Sequence, residues 1–316
     1  MRVLVALGGN ALAREGQRGT WDEQMDNARA VARGVAQLHQ QGHQVVVTHG
    51  NGPQVGALAI QQRGAVRHVP DLPLDALVAM TQGDLGYLLQ QVIAEADPHL
   101  PTTAVVTRVL VRADDPAFAT PTKPIGPFYD EAQARRHAAS AGWTVGHDAG
   151  RGWRRLVPSP IPLEIIERDG IRLLVQHGIL VIAGGGGGIP VVDGPRGLHG
   201  VDAVVDKDRT ALLMAHAVGC DVLLMVTGVD HVALDFGTRW QRSLARLTVD
   251  QARRHLSEGE FPAGSMGPKV EAGAAFAHDG GRAIITGPER IGEAIAGGGT
   301  WIVPNDEGPS AVAWAA

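Results

Sequence analysis

Val45-Val46-Val47-Thr48-His49-Gly50-Asn51-Gly52-Pro53-Gln54-Val55-Gly56 decides the reading of the fold. Four β-branched residues, Val45–Thr48, make a short strand, which empties into a loop that three glycines leave free to bend. Working outward, the pattern recurs on either side. Arg2–Leu7 is a strand that ends in Gly8-Gly9-Asn10, and Leu180–Ala183 is a strand that meets five glycines, Gly184–Gly188. Ala-rich helical stretches lie between the strands. Thr20 followed by Glu23 makes a capping box for a helix running to about Gln41, with Gly42 as its stop. Leu74–Glu95, Leu163–His177, Asp206–Val218 and Pro268–His278 read as further helices. Ala104–Val109, Val222–Thr227, Ala283–Thr286 and Trp301–Val303 complete the strands. This alternation predicts an α/β fold: an open, mainly parallel sheet sandwiched between helices.

The rhythm breaks between about Arg112 and Pro160. A proline-studded loop, Pro116–Pro127, leads to a short polar helix, Asp130–Ser140, and then to a hairpin. Its strands are Trp143–His147 and Trp153–Val157, with a turn at Asp148–Gly152. We read residues 112–160 as a small inserted subdomain that projects from the strand ends of a single domain spanning 1–316. Pieces inserted at that edge often serve as lids.

Composition narrows the class. Aromatic residues make up only 4% of a chain that is 44% hydrophobic, so the core must be filled by Ala, Val, Leu and Ile. A net charge of −5 gives no general attraction to nucleic acid or to an anionic membrane, and neither is expected as a partner. Cys220 is the single cysteine, which excludes an internal disulfide and a Cys-rich zinc site and fits a reducing cytosol. No apolar run approaches the length of a membrane span. Met1–Leu7 is too short for a signal segment before Gly8 interrupts it. A cytoplasmic location is expected.

Of 28 basic residues, three are lysines, Lys123, Lys207 and Lys269, and the rest are arginines. On a solvated surface the two exchange freely. Where a compact ammonium must sit against phosphate oxygens they do not, because the guanidinium fork is larger and planar. Each lysine also has an unusual setting: Thr122–Pro127 reads T-K-P-I-G-P, Val205–Asp208 reads V-D-K-D, and Gly264–Lys269 reads G-S-M-G-P-K. Lys269 falls at the start of a helix, an unfavourable end for a cation unless an anion binds there too. Lys207 could meet a transferring phosphoryl group while Asp208 aligns the lysines. The plainer alternative for Asp206-Lys207-Asp208 is a solvated helix cap.

In an open α/β sheet, ligands bind beyond the carboxyl ends of strands, where glycine lets backbone N–H groups approach phosphate oxygens. Three such loops converge here: Gly8-Gly9-Asn10, Gly50-Asn51-Gly52 and Gly184–Gly188. Two common nucleotide signatures are missing. Gly264–Lys269 ends like a P-loop but is too short and lacks a following Ser or Thr. Gly50-x-Gly52-x-x-x-Gly56 misses the dinucleotide fingerprint by one residue and no acidic ribose reader follows. His49 could orient its loop or touch substrate. No Ser/His/Asp arrangement or nucleophile elbow is visible.

Taken together, several motifs resemble the carbamate kinase family, which has the amino acid kinase fold. They are L-G-G-N-A-L at Leu7–Leu12, H-G-N-G-P-Q-V-G at His49–Gly56 and P-T-K-P-I-G-P-F-Y at Pro121–Tyr129. The others are G-G-G-G-I-P-V at Gly185–Val191, V-D-K-D at Val205–Asp208 and G-S-M-G-P-K-V-E-A at Gly264–Ala272. The likeness spans nearly the whole chain, with Asp84 departing where the family usually has an apolar residue.

The resemblance implies reversible phosphoryl transfer between ATP and carbamate, with Mg²⁺ carried on the nucleotide phosphates rather than in a protein cage. It implies a homodimer, with the small substrate on the half up to about residue 180 and the nucleotide on the half from about 181. By resemblance, Lys207 and Lys269 would neutralise the transferring group, Asp208 would hold them, and Lys123 would reach toward carbamoyl phosphate. Gly8, Gly9, Asn10, Gly50, Asn51 and Gly52, with Gly185 and Gly186, would form the phosphate and substrate cradle. Thr227, Gly228, Val229, Asp230, Met266 and Gly267, together with Lys269, would flank the nucleotide. Two alternatives stand beside this reading: a sister kinase acting on another carboxylate such as acetylglutamate, and a non-catalytic nucleotide- or anion-binding regulator on the same fold. Against the first stand the inserted subdomain and the absence of a lysine from the first strand.

Overall fold

The computed structural model describes residues 1–306 except Glu15, residues 148–151 and Ala263, and of Asn10 only the backbone. Eight strands form the main sheet: β1 (Arg2–Leu7), β2 (Gln44–His49), β3 (Thr102–Ala104), β4 (Leu180–Ile182), β5 (Val222–Val226), β6 (Arg246–Thr248), β7 (Arg282–Thr286) and β8 (Thr300–Val303). Their spatial order is β6-β8-β7-β5-β1-β2-β4-β3. Six run parallel, from β7 across to β3, while β8 runs antiparallel to β7 and carries β6 parallel to itself.

Helices cover both faces, so successive residues of a central strand are buried on opposite sides. On one face Val3, Val5 and Leu7 pack with α1 (Trp21–Gln40) and with α3 (Leu74–Ala96), which follows α2 (Gly52–Ala65). On the other face Leu4 and Ala6 share a core with α5 (Arg168–Gln176), α6 (Lys207–Val218), α7 (Val249–Ser257) and α8 (Met266–His278). The helix between them in sequence, α4 (Glu131–Ala141), lies in the inserted subdomain. Each fully buried aliphatic side chain contributes roughly 1.5–3 kcal/mol, so the central strands anchor the loops at their ends. The capping box at α1 forms as read: Glu23 N–H donates to the Thr20 hydroxyl and Thr20 N–H to the Glu23 carboxylate. Among the described residues, no helix is long and apolar enough to cross a membrane.

Three sequence expectations need correction. Ala104–Val109 is not one strand: Thr102–Ala104 stays in the main sheet, and Arg108–Leu110 joins a second sheet with Glu164–Ile165, Ile189–Val192 and His199–Gly200. Buried Thr107 makes the turn between the two. Its N–H donates to Gln82 Oε1 at 2.8 Å, its carbonyl accepts from Ile189 N–H at 2.9 Å, and its hydroxyl accepts from Gly184 N–H at 3.0 Å. The helix read over Leu163–His177 is confined to α5. Leu163 and Ile166 donate instead to the carbonyls of Leu110 and Arg108, which pulls that stretch into the second sheet. Helix α2 begins inside the stretch read as a loop, His49–Gly56, and runs on to Ala65; Pro53 in its first turn is compatible with a helix start, and its glycines conceal the helical pattern.

The inserted subdomain contains an antiparallel sheet, Lys123–Tyr129, Trp153–Val157 and Thr144–His147 in that spatial order, with α4 beside it. Most of the turn expected at Asp148–Gly152 lies outside the described residues. His137 stacks on Trp143 and meets Tyr129 at a tilt, and the Arg155 guanidinium lies 4.9 Å from the Trp143 ring centre. The root is apolar: Ile125 and Val157 pack with Val55, Ala59, Leu74, Leu77 and Val204. There α2 and the first subdomain strand approach backbone to backbone. A Cβ at Gly56 would lie 1.9 Å from Gly126 Cα, and Gly126 itself has φ of 76°.

Gly56→Ala should therefore cost about 3 kcal/mol, since two main chains would have to separate. Gly170→Ala, at an exposed position in α5 with open space around it, should be neutral or stabilising by up to about 1 kcal/mol. Urea denaturation of both variants checks this; equal midpoints would show that the Gly56–Gly126 contact does not hold the root.

Candidate active site

The registers of β1 place Leu7 level with both His49 and Val226, so the carboxyl ends of three central strands stand side by side. From them leave Gly8–Asn10, Gly50–Gly52 and Thr227–Asp230. Gly8 N–H donates to Val226 O at 2.8 Å and Gly50 N–H to Leu7 O at 3.0 Å, which locks the loops to one another. Gly8 has no room for a larger residue, and Gly50 is tight. A Cβ at Gly8 would stand 2.8 Å from Val226 O, and one at Gly50 would stand 3.2 Å from Lys207 Cδ. Glycine at 50 thus lets the Lys207 stem lie across the loop.

Lys207 and Asp208 open α6, whose cap is Asp206. Asp208 is 4% exposed, and its two oxygens each take a different ammonium: Oδ1 accepts from Lys207 Nζ at 2.5 Å and Oδ2 from Lys269 Nζ at 3.2 Å. Lys269, in the first turn of α8 and 6% exposed, also donates to Ser265 O at 3.1 Å. Lys123, the first residue of the subdomain sheet, donates to Asp206 Oδ2 at 2.6 Å. All three lysines of the chain therefore gather at the first turn of α6.

Burial and charge set the protonation states. Burial pushes against ionised Asp208, yet Lys207 and Lys269 outweigh it and hold the carboxyl below its ordinary range. At Asp206 burial is likewise opposed, chiefly by Lys123, and its carboxyl lies well below the usual carboxylate range. Burial, and then the neighbouring Lys207, lowers Lys269 to about 8, while Asp208 pulls the other way. Three ammonium groups against two carboxylates leave an excess of positive charge, ready for an anion.

His49 is a spacer rather than a base. It is buried, its pKa is lowered to about 4 by that burial, and its ring meets Gly50 O at 3.0 Å through Nδ1, which must carry the proton to bond a carbonyl. The Gly184–Gly188 run packs against this layer. A Cβ at Gly185 would strike the His49 ring at 2.4 Å and one at Gly186 the Asn51 amide at 2.2 Å, so both glycines are buried wedges. Asn51 is itself buried and donates to Thr81 Oγ1 at 2.9 Å. Gly9 and Gly52 begin helical turns, and Asn10 follows Gly9 in one of them. At the end of β5, Thr227 N–H donates to Thr286 O, exposed Gly228 and half-buried Val229 follow, and Asp230 pairs with Arg290 at 3.2 Å. Met266 is half-buried and Gly267 buried at the start of α8.

Asp206 is the site residue that sequence reading missed, although its signal was present: an N-cap aspartate next to one of three lysines. Cys220 plays no part here. Its thiol is pushed up to about 12 by burial, and it precedes the amino end of β5, opposite the loops. Among the described residues no group of three or more His, Cys, Asp or Glu side chains could hold a metal ion. The arrangement offers ammonium groups and glycine-lined loops but no free general base, which suits stabilisation of a transferring anionic group.

The chain is similar to known proteins over most of its length. The profile of the amino acid kinase family matches residues 1–287. A carbamate kinase of Pyrococcus horikoshii is 44% identical over 311 residues, covering 96% of this chain and 99% of that protein. One of Halobacterium salinarum is 47% identical over 307 residues, with 96% and 99% covered. Carbamate kinase from Giardia lamblia bound to AMP-PNP aligns with a TM-score of 0.88 at 38% identity, over 96% of this chain and 98% of that one.

Because the chain has three lysines, a spectrum selective for ¹³Cε-lysine holds three signals. The signal lost in Lys269→Arg should titrate at about 8 in the ligand-free protein. Asp208→Asn should move it lower, because that carboxylate stabilises the charged form. A midpoint at the ordinary lysine value of 10.5 would show that Lys269 is not desolvated.

Proposed function

The chain belongs to the amino acid kinase family, among its carbamate kinases, and from that premise we propose that it moves a phosphoryl group reversibly between ATP and carbamate, giving ADP and carbamoyl phosphate. The observation that carries the reading is the pair of ammonium groups, Lys207 and Lys269, held on the two oxygens of buried Asp208 beside the Gly50 loop. Carbamate oxygen is already anionic, so attack on the γ-phosphorus needs no base. In the reverse direction an ADP β-phosphate oxygen attacks carbamoyl phosphate, the bond from phosphorus to the carbamate oxygen breaks, and carbamate leaves as an anion. Such transfer depends on positioning and charge stabilisation.

In this reading Lys207 and Lys269 neutralise the equatorial oxygens and Asp208 fixes their spacing. Lys123 serves the carbamoyl side. Gly8, Gly9, Asn10, Gly50, Asn51 and Gly52 supply the amide cradle, and Gly185 and Gly186 support it from behind. Thr227–Asp230, Met266 and Gly267 flank the nucleotide on the half from about 181, with the small substrate on the half up to about 180. The inserted subdomain, 112–160, acts as a lid that keeps water from a substrate too small to exclude it.

Each oxygen of Asp206 and Asp208 already accepts a lysine or a backbone amide, and the three ammonium groups around them disfavour a cation at this centre. Mg²⁺ therefore comes on the nucleotide phosphates, where it supplies charge neutralisation. A homodimer and a cytoplasmic setting complete the proposal. Acetylglutamate kinase activity is the competing reading within the family, and the same assay run with acetylglutamate and ATP separates the two.

The purified protein should form ATP from ADP and carbamoyl phosphate only when Mg²⁺ is added. No ATP above a protein-free control at pH 7 to 8 would sink the reading. Lys207→Arg or Lys269→Arg should lower turnover by about 10²-fold, about 3 kcal/mol, because the charge is kept but misplaced. Lys123→Ala should raise the KM for carbamoyl phosphate while ADP affinity stays within about threefold, roughly 0.7 kcal/mol. Initial rates and calorimetry with ADP distinguish these outcomes from a general loss of fold.

A further inference from the structure

Asp206 divides its carboxylate between two tasks. Oδ1 accepts from the N–H of Asp208 at 2.9 Å and of Arg209 at 3.4 Å, which caps α6 and fixes the plane of the carboxylate. Oδ2 then faces Lys123 Nζ at 2.6 Å, with both side chains only about a quarter exposed. The same stretch meets the subdomain a second time: Val204 N–H donates to Pro158 O at 3.0 Å, one residue beyond Val157, which pairs with Lys123 in the subdomain sheet. Asp206 is thus the only side chain that ties the cap of α6 directly to Lys123 among the bonds of the described residues.

We propose that Asp206 is a positioning residue, holding the Lys123 ammonium beside Lys207 and Lys269 so that the carbamoyl side and the phosphoryl side of the site keep one fixed spacing. The inference rests on the phosphoryl-transfer reading above. A lysine ammonium carries three donors, and Asp206 takes one, leaving two for substrate oxygens. Without that anchor Lys123 is a flexible four-carbon stem whose ordering falls on the substrate. Asp208 divides its two oxygens between the other lysines, and Asp206 is the carboxylate that meets Lys123. Partly exposed ion pairs add little stability. The value of this one lies in geometry.

Asp206→Asn tests the point, because asparagine caps helices as well as aspartate does but presents an N–H₂ or a neutral oxygen to Lys123. Its melting temperature should stay close to that of the wild type. Its KM for carbamoyl phosphate should rise about tenfold, the scale of one charged hydrogen bond, while its KM for ADP stays within about threefold. In Lys123→Ala the same substitution should add no further loss, since Asp206 acts through Lys123. Hydrogen exchange should quicken in Lys123–Tyr129 of the Asn variant. Multiplying effects in the double variant, an equal loss on both substrates, or a large fall in melting temperature with unaltered KM ratios would each overturn the assignment. Wild-type activity is measured in parallel: its absence refutes the functional reading alone, and the exchange rates still decide whether Asp206 restrains the strand.

Discussion

Asp208 holds two ammonium groups on one buried carboxylate, and the surrounding fold serves to keep that contact dry and correctly placed. Two like charges a few Å apart repel by several kcal/mol even at an effective dielectric near 20. The carboxylate offsets this only while both lysines stay in reach. Their reach is set from two directions, by the start of α6 for Lys207 and by the start of α8 for Lys269. Both helices pack on the same face of the main sheet, through Ala211, Met214 and Ala215 on one and Val270, Ala274 and Phe276 on the other. Lys269 near 8 records the strain of the arrangement: burial and Lys207 work against its charge, and Asp208 works for it. An anion placed there would relieve that strain, so the arrangement of charges favours the transferring group proposed above.

The glycines divide into two physical groups that the sequence does not distinguish. Gly8 and Gly50 are small because strand ends and the Lys207 stem pass close by. Gly185 and Gly186 are small because His49 and Asn51 fill the space behind them. Both groups look alike as letters in a loop, and only the positions of neighbouring side chains separate a ligand-facing turn from a packing wedge. His49 shows the same limit. Its place at the head of a glycine loop was readable, but its burial, which keeps it neutral, comes from tertiary packing.

Much of the architecture was legible because the buried strands are short β-branched runs closed by glycine, a pattern with one economical solution. The scarcity of lysine was legible for a similar reason, and the three lysines do converge on one helix turn. What stayed hidden were features decided by contacts distant in sequence. Thr107 divides an apparent strand because Gln82, Gly184 and Ile189 each claim one of its polar groups. Helix α2 is weakly amphipathic and carries three glycines, of which Gly56 lies against Gly126, so periodicity could not reveal it. Asp206 was passed over because a helix cap explains an aspartate at that place, and its second bond runs to a residue 83 positions away.

The subdomain joins these themes. Its root and its outer part are held by different forces. At the root, Ile125 and Val157 are buried among seven other apolar side chains, the Gly56–Gly126 contact excludes anything larger, and Lys123 is tied to Asp206. Farther out, α4 buries only Ala134 among its side chains, and no residue of Thr144–His147 is fully buried. Local opening follows the density of buried apolar contacts, so the outer helix and hairpin open more easily than the strand that begins with Lys123. In the lid role proposed for residues 112–160, the charge would not have to travel through a long swing. The ammonium stays at the root, already placed by the aspartate that caps the phosphoryl helix. In that proposed role, opening of the outer part would govern only access and water, which separates the precision of the site from the mobility needed to fill it.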